Sequence, residues 1–150
     1  MGSIRGVECK VFLNTGVFAT PTWFEWLCAK DVTLSLDFGE VDASCRGGGS
    51  FKQSAPTLTA MEVTGNAIKE KADPTFLAME LAAKNGTIVD VLVMDGERTS
   101  ADSDGWRLDA QFFNWSESQP LEDIVTVDWT LKPARSANKP TAVSGPQPPA

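Results

Sequence analysis

With 150 residues, 42% of them hydrophobic, and a formal net charge of −7, the chain is sized for one domain. Such a domain buries roughly 68–70% of its unfolded surface without disulfide or metal staples. No apolar run approaches the roughly 20 residues a membrane-crossing helix needs, and the acidic balance, with no basic stretch against it, speaks against tight binding of polyanions. The chain has no histidine, which removes Ser-His-Asp and Cys-His nucleophiles, the usual zinc sites and a histidine general base.

The start, Met1 to Gly6, carries no apolar signal-peptide core, so nothing marks it for export. Cys9, Cys28 and Cys45, odd in number and scattered, read as small buried hydrophobes of a reducing compartment. Val7 to Thr15 alternates well enough for a first strand. Thr20-Pro21-Thr22 punctuates it before a second β-prone run, Trp23 to Leu27. Asp31 to Phe38 gives a third, with Val32, Leu34 and Leu36 on one side. From Gly39 to Ser50 the chain turns polar and Gly-rich, a loop about twice the usual connection length.

Leu58 to Lys69 is a fourth strand, placing Met61, Val63 and Ala67 on one face and Glu62, Thr64 and Asn66 on the other, with Gly65 marking a bulge. The period then changes. Asp73 is a good N-cap, Pro74 suits the first helical position, Phe76, Leu77 and Leu81 form an apolar stripe, and Asn85-Gly86 ends a helix of about three turns. Thr87 to Asp95 is apolar on both faces and therefore needs a cover on each, the helix being one candidate. An acidic, turn-rich connection leads to Trp106 to Trp115, where Leu108, Ala110 and Phe112 oppose Arg107, Asp109 and Gln111. Leu121 to Lys132 alternates most cleanly, Val125, Val127, Trp129 and Leu131 against Thr126, Asp128, Thr130 and Lys132.

Five of the nine prolines fall in the last 18 residues, so residues 134–150 read as a tail too poor in apolar surface to order itself, dispensable for folding. The domain is then residues 1–133. Its fold class is mainly β, a sandwich or barrel with one flanking α-helix.

Chemistry finds little purchase. No carboxylate pair stands out from a solvated surface, and Ser100, Asp102, Asp104 and Gly105 match a calcium loop only in part, with Gln111 where its bidentate acid belongs. Gly47-Gly48-Gly49-Ser50 lacks the following Gly-Lys of a phosphate loop, and neither cofactor nor metal is implied. Most of the 13 aromatic residues sit at inward strand positions. Trp23, Trp26 and Trp115, if exposed, would suit a sugar-binding platform, and a monomeric β-sandwich binding module is the alternative class of function.

The order of features is more telling. Lys10 to Leu27 (KVFLNTGVFATPTWFEWL), the Asp31 to Leu36 strand, Val41 to Arg46, the Asp73 helix, the Val91 to Gly96 strand ending in Asp-Gly, and Gln119 to Pro133 together resemble tail tube proteins of long-tailed phages. The stretch Asn14-Thr15-Gly16 to Thr20-Pro21-Thr22-Trp23 is the most specific of these.

That resemblance implies a non-enzymatic subunit of the virion tail, assembled in the host cytoplasm into hexameric rings whose inner sheets join as a lumen wall for DNA passage. Its implied partners are its own copies, tape-measure, tail-terminator and baseplate proteins, and a sheath where the tail contracts. Tube proteins of contractile injection and type VI secretion systems share this architecture. Within that frame Asp37, Glu40, Asp42, Arg46, Gly47, Gly48 and Gly49 are expected to form an inter-ring loop, mobile until it is stacked. Thr126, Asp128 and Thr130 are expected on a predominantly negative lumen face, which Lys132 shares.

Overall fold

The computed structural model describes residues 9–27, 29–136 and 138–147. As the alternation predicts, it is mostly β with one helix. The strands are β1 (Lys10–Asn14), β2 (Trp23–Glu25), β3 (Ala29–Asp42), β4 (Ser54–Ile68), β5 (Val89–Met94), β6 (Asp104–Ser118), β7 (Thr126–Pro133) and β8 (Thr141–Ser144), with helix α1 (Pro74–Asn85) between β4 and β5. All pair antiparallel in one sheet ordered β2-β1-β5-β6-β7-β4-β3, and β8 lies on β6.

The long strand β6 organises the sheet. Its first half pairs with β5 and β8 and its second half with β7. A register shift between Phe112 and Asn114 leaves Phe113 as an extra residue there, a bulge that bends the strand. The two halves of the sheet thus share one core, in which Val11, Leu13, Val91 and Leu108 meet Val63, Val127, Trp129 and Leu131. Trp26 stacks on Trp115 and Trp129 inside it, and Phe76 of α1 closes the aromatic cluster.

The helix begins and ends where its capping residues predict. Asp73 Oδ1 accepts the Thr75 N–H at 3.0 Å, and Gly86, at a φ of 66° that favours glycine, donates its N–H to the Ala82 carbonyl. Its apolar stripe is corrected: Leu77 and Leu81 are exposed, and Phe76, Met79 and Ala82 are buried. Only a narrow face spaced i, i+3 lies on the sheet, so the two leucines fall beside it.

The two covers demanded by β5 are present. Val91 faces the main core, while Leu92 and Met94 join Phe12 and Trp23 in a second cluster on the opposite side, with Val143 packed against it.

Gly65 does mark a bulge, with the extra residue in the partner strand: Asp31 (φ 42°) and Val32 of β3 stand opposite it, while on its other side Gly65 pairs with Trp129. Two further expectations change. The loop expected from Gly39 shrinks to residues 43–53, because β3 runs on to Asp42 and β4 starts at Ser54. The tail, expected to stay unstructured, contributes β8, whose backbone pairs satisfy an edge of β6 that β7 leaves open.

Candidate assembly surface

Before Val63, from Ser54 to Glu62, β4 has only β3 as a neighbour, so the two strands leave the body as a two-stranded arm. Beyond Leu36 and Met61 every arm residue is exposed except the half-buried Gly39, Gly48 and Ala55. Such a ribbon is marginal on its own in water.

Register assigns its faces. Leu34 pairs with the core residue Val63 and Leu36 with Met61, so these and Phe38 continue the core face into solvent, where Phe38 is 60% exposed. Ser35 pairs with Glu62 and Asp37 with Ala60 on the other face. A second register shift, Phe38 with Thr59 and then Glu40 with Pro56, inserts a residue into β4 and turns its outer half over. Glu40 and Asp42 therefore follow Phe38 on one face, whereas Val41 follows Asp37 on the other.

The expected loop residues are thus divided among three places. Asp37, Glu40 and Asp42 belong to strand β3, and Arg46, Gly47 and Gly48 form a single 3-10 turn at the tip, which Gly49 ends at φ 73°. Hydrogen bonds from Ser44 hold the Asp42 carboxyl below its ordinary range, so Asp42 stays charged, and Ser54 Oγ donates to Glu40 Oε1 at 2.7 Å. Reading residues 39–50 as a polar loop stopped the third strand at Phe38 and began the fourth at Leu58, so the outer half of the arm, Gly39 to Asp42 and Ser54 to Thr57, was missed. The available signal was the alternation Asp37-Phe38-Gly39-Glu40-Val41-Asp42, which continues through Gly39.

Thr126, Asp128 and Thr130 do share one face, away from the core, and the register extends it across four strands. Thr33, Thr64, Thr130 and Asn114 form one row, Lys30, Asn66, Asp128 and Ser116 the next, and Ile68, Thr126 and Ser118 a third. Lys132, by alternation, lies on the same face, with its Nζ 5.5 Å from the centre of the Phe113 ring.

The stretch that best carried the family resemblance is a lock. Asn14 Oδ1 accepts the N–H groups of Gly16 (2.8 Å) and Thr22 (2.9 Å), and its Nδ2 donates to Asp90. Arg107 pairs with the same Asp90 at 2.6 Å, donates to the Phe18 carbonyl at 2.8 Å and lies 3.8 Å from the centre of the Phe18 ring. The spacing of those residues therefore fixes the loop between β1 and β2 to Asp90 and Arg107.

The sugar platform is not formed. Trp23 and Trp26 are buried, and Trp115 lies nearly parallel to Trp26 with ring centres 6.5 Å apart. Cys9 and Cys45 are exposed rather than buried, and Cys28 lies outside the described residues. One cleft of about 620 Å³ is walled mainly by apolar side chains such as Val32, Leu34, Met94 and Trp106. Lys10 on its rim is paired with Glu25 and Glu97. Among the described residues no group of three acids or cysteines is placed to hold a metal ion.

No protein-family model and no curated protein matches the chain. Solved structures do. The tail tube of SPP1 matches with a TM-score of 0.69 at 18% identity, over 87% of this chain and 75% of that one. A chain from the tail of an empty gene transfer agent particle, refined with C6 symmetry, matches with a TM-score of 0.70 at 9% identity, over 95% and 99%. A chain of the anti-feeding prophage baseplate matches with a TM-score of 0.56 at 12% identity, over 96% and 95%. The fold is that of tail tube proteins.

Proposed function

We propose that the chain is a structural subunit of a virion tail, one of six copies that close into a ring, with rings stacked into a hollow tube through which DNA passes. The observation that carries this reading is the arm. A continuation of the core face into solvent through Leu34, Leu36 and Phe38 is an apolar surface that the described residues of one copy leave exposed, on a fold shared with assembled tubes. The tube's ends then meet tape-measure, tail-terminator and baseplate proteins. A phage-type tube is preferred to a contractile injection device because the likeness to the prophage baseplate chain is the weaker one.

Phe38→Asp should abolish tubes in negative-stain images while leaving the thermal midpoint within a few degrees, because the side chain touches little within its own subunit. Tubes of normal number and length from this variant would contradict the role of the arm.

In this reading the polar face of β3, β4, β7 and β6 lines the channel. Alternation gives it Asp37, Glu62 and Asp128 against Lys30 and Lys132, an excess of acid that spares a passing polyanion counterion-releasing contacts at every ring. A tube whose inner surface holds more Lys and Arg than Asp and Glu would overturn this assignment.

A further inference from the structure

The loop joining β6 to β7 is an unusual surface. Residues 119–125 carry Leu121, fully exposed, and Ile124, 58% exposed, with Glu122 and Asp123 as their only charges. The loop forms part of no core cluster among the described residues. Two bare aliphatic side chains flanking two acids are costly to leave in water.

The complement lies at the far end of the same half-sheet. The arm tip, residues 43–53, carries the exposed Phe51, with Arg46 and Lys52 as its only charges. Strand β4 starts beside this tip at Ser54 and ends at Ile68, which pairs with Thr126, one residue past the 119–125 loop. Fifteen residues of strand hold the two surfaces roughly 50 Å apart at about 3.3 Å per residue, so they do not meet within one copy.

Tip against tip, or loop against loop, sets like charges face to face. Tip against loop sets two cations on two anions and one aromatic ring on two aliphatic side chains. Unlike surfaces at opposite ends of one molecule make a heterologous contact that repeats head to tail without closing, as a growing tube requires. We propose that the arm tip of one copy seats on the 119–125 loop of a second copy in the next ring, Phe51 against Leu121 and Ile124, Arg46 and Lys52 against Glu122 and Asp123. This contact rests on the tail tube reading and adds to it the landing site of the arm.

Charge reversal tests it on the full-length protein, with tubes scored by pelleting and negative stain. The pair Arg46→Glu with Lys52→Glu, and separately the pair Glu122→Lys with Asp123→Lys, should each raise the concentration needed for tubes by at least about tenfold, since like charges then face each other across the junction. All four positions are exposed, so the thermal midpoint should not move. Combining both pairs reverses both surfaces and should restore assembly to near the wild-type concentration.

If either pair alone assembles as wild type does, or if the combined variant is as impaired as the pairs, the contact is wrong while the tube reading stands. If wild-type protein forms no tubes, both fall together.

Discussion

Trp129→Ala should destabilise the subunit by about 3–5 kcal/mol, the cost of truncating a large buried aromatic and leaving its cavity. For a chain of this size that lowers the thermal midpoint by roughly 6–20 °C. Trp129 is 1% exposed, its ring centre lies 5.1 Å from that of Trp26 and 6.5 Å from that of Phe112, and it fills the space above Gly65. A Cβ on Gly65 would stand 2.9 Å from Trp129 Cζ2 and 3.2 Å from the Lys30 carbonyl oxygen, so glycine is required there by close approach. Gly65→Val should accordingly cost about 1–3 kcal/mol through overpacking. Calorimetry on both variants decides the point, and a loss below about 1 kcal/mol for Trp129→Ala would mean that the aromatic stack does not hold the two halves of the sheet together.

Truncation after Pro133 should be the second large effect, opposite to what the proline-rich composition suggests. Removing β8 strips the partner from Asp104 to Arg107 of β6 and lifts Val143 off the Phe12, Leu92 and Met94 cluster. It also removes Ser136 and Asn138, which donate to Asp109 Oδ2 at 2.7 and 3.1 Å, leaving a buried carboxylate without those partners. Loss of those donors alone costs about 1–3 kcal/mol. With the packing included we expect roughly 2–4 kcal/mol, a fall of about 4–16 °C. A truncated protein that melts within two degrees of the full chain would return residues 134–147 to the status of an appendage.

Much of the fold was legible because alternation is a local property that burial enforces. Val127, Trp129 and Leu131 are inside, and Thr126, Asp128 and Thr130 lie on the other face, as period two requires. The helix was bounded by capping chemistry that involves only its own ends.

What failed depended on partners distant in sequence. Ordering the tail rests on Asp109 and on an open edge of β6, neither of which appears in the composition of residues 134–150. The arm was misread because Gly39 looks like a stop, whereas a bulge across the hairpin absorbs it. The candidate assembly surface was only partly legible for the same reason. Acids and glycines mark a loop in any sequence, but that Phe38, Phe51 and Leu121 are uncovered is known only once the core has claimed the other apolar residues.

The central claim is self-assembly, and the mass of the purified wild-type chain, measured by sedimentation from micromolar to millimolar concentration with negative-stain images of the same samples, tests it most directly. We predict rings of six subunits that give way to stacked tubes as the concentration rises. A single species of 16.1 kDa throughout, with no rings or tubes in the images, would contradict it.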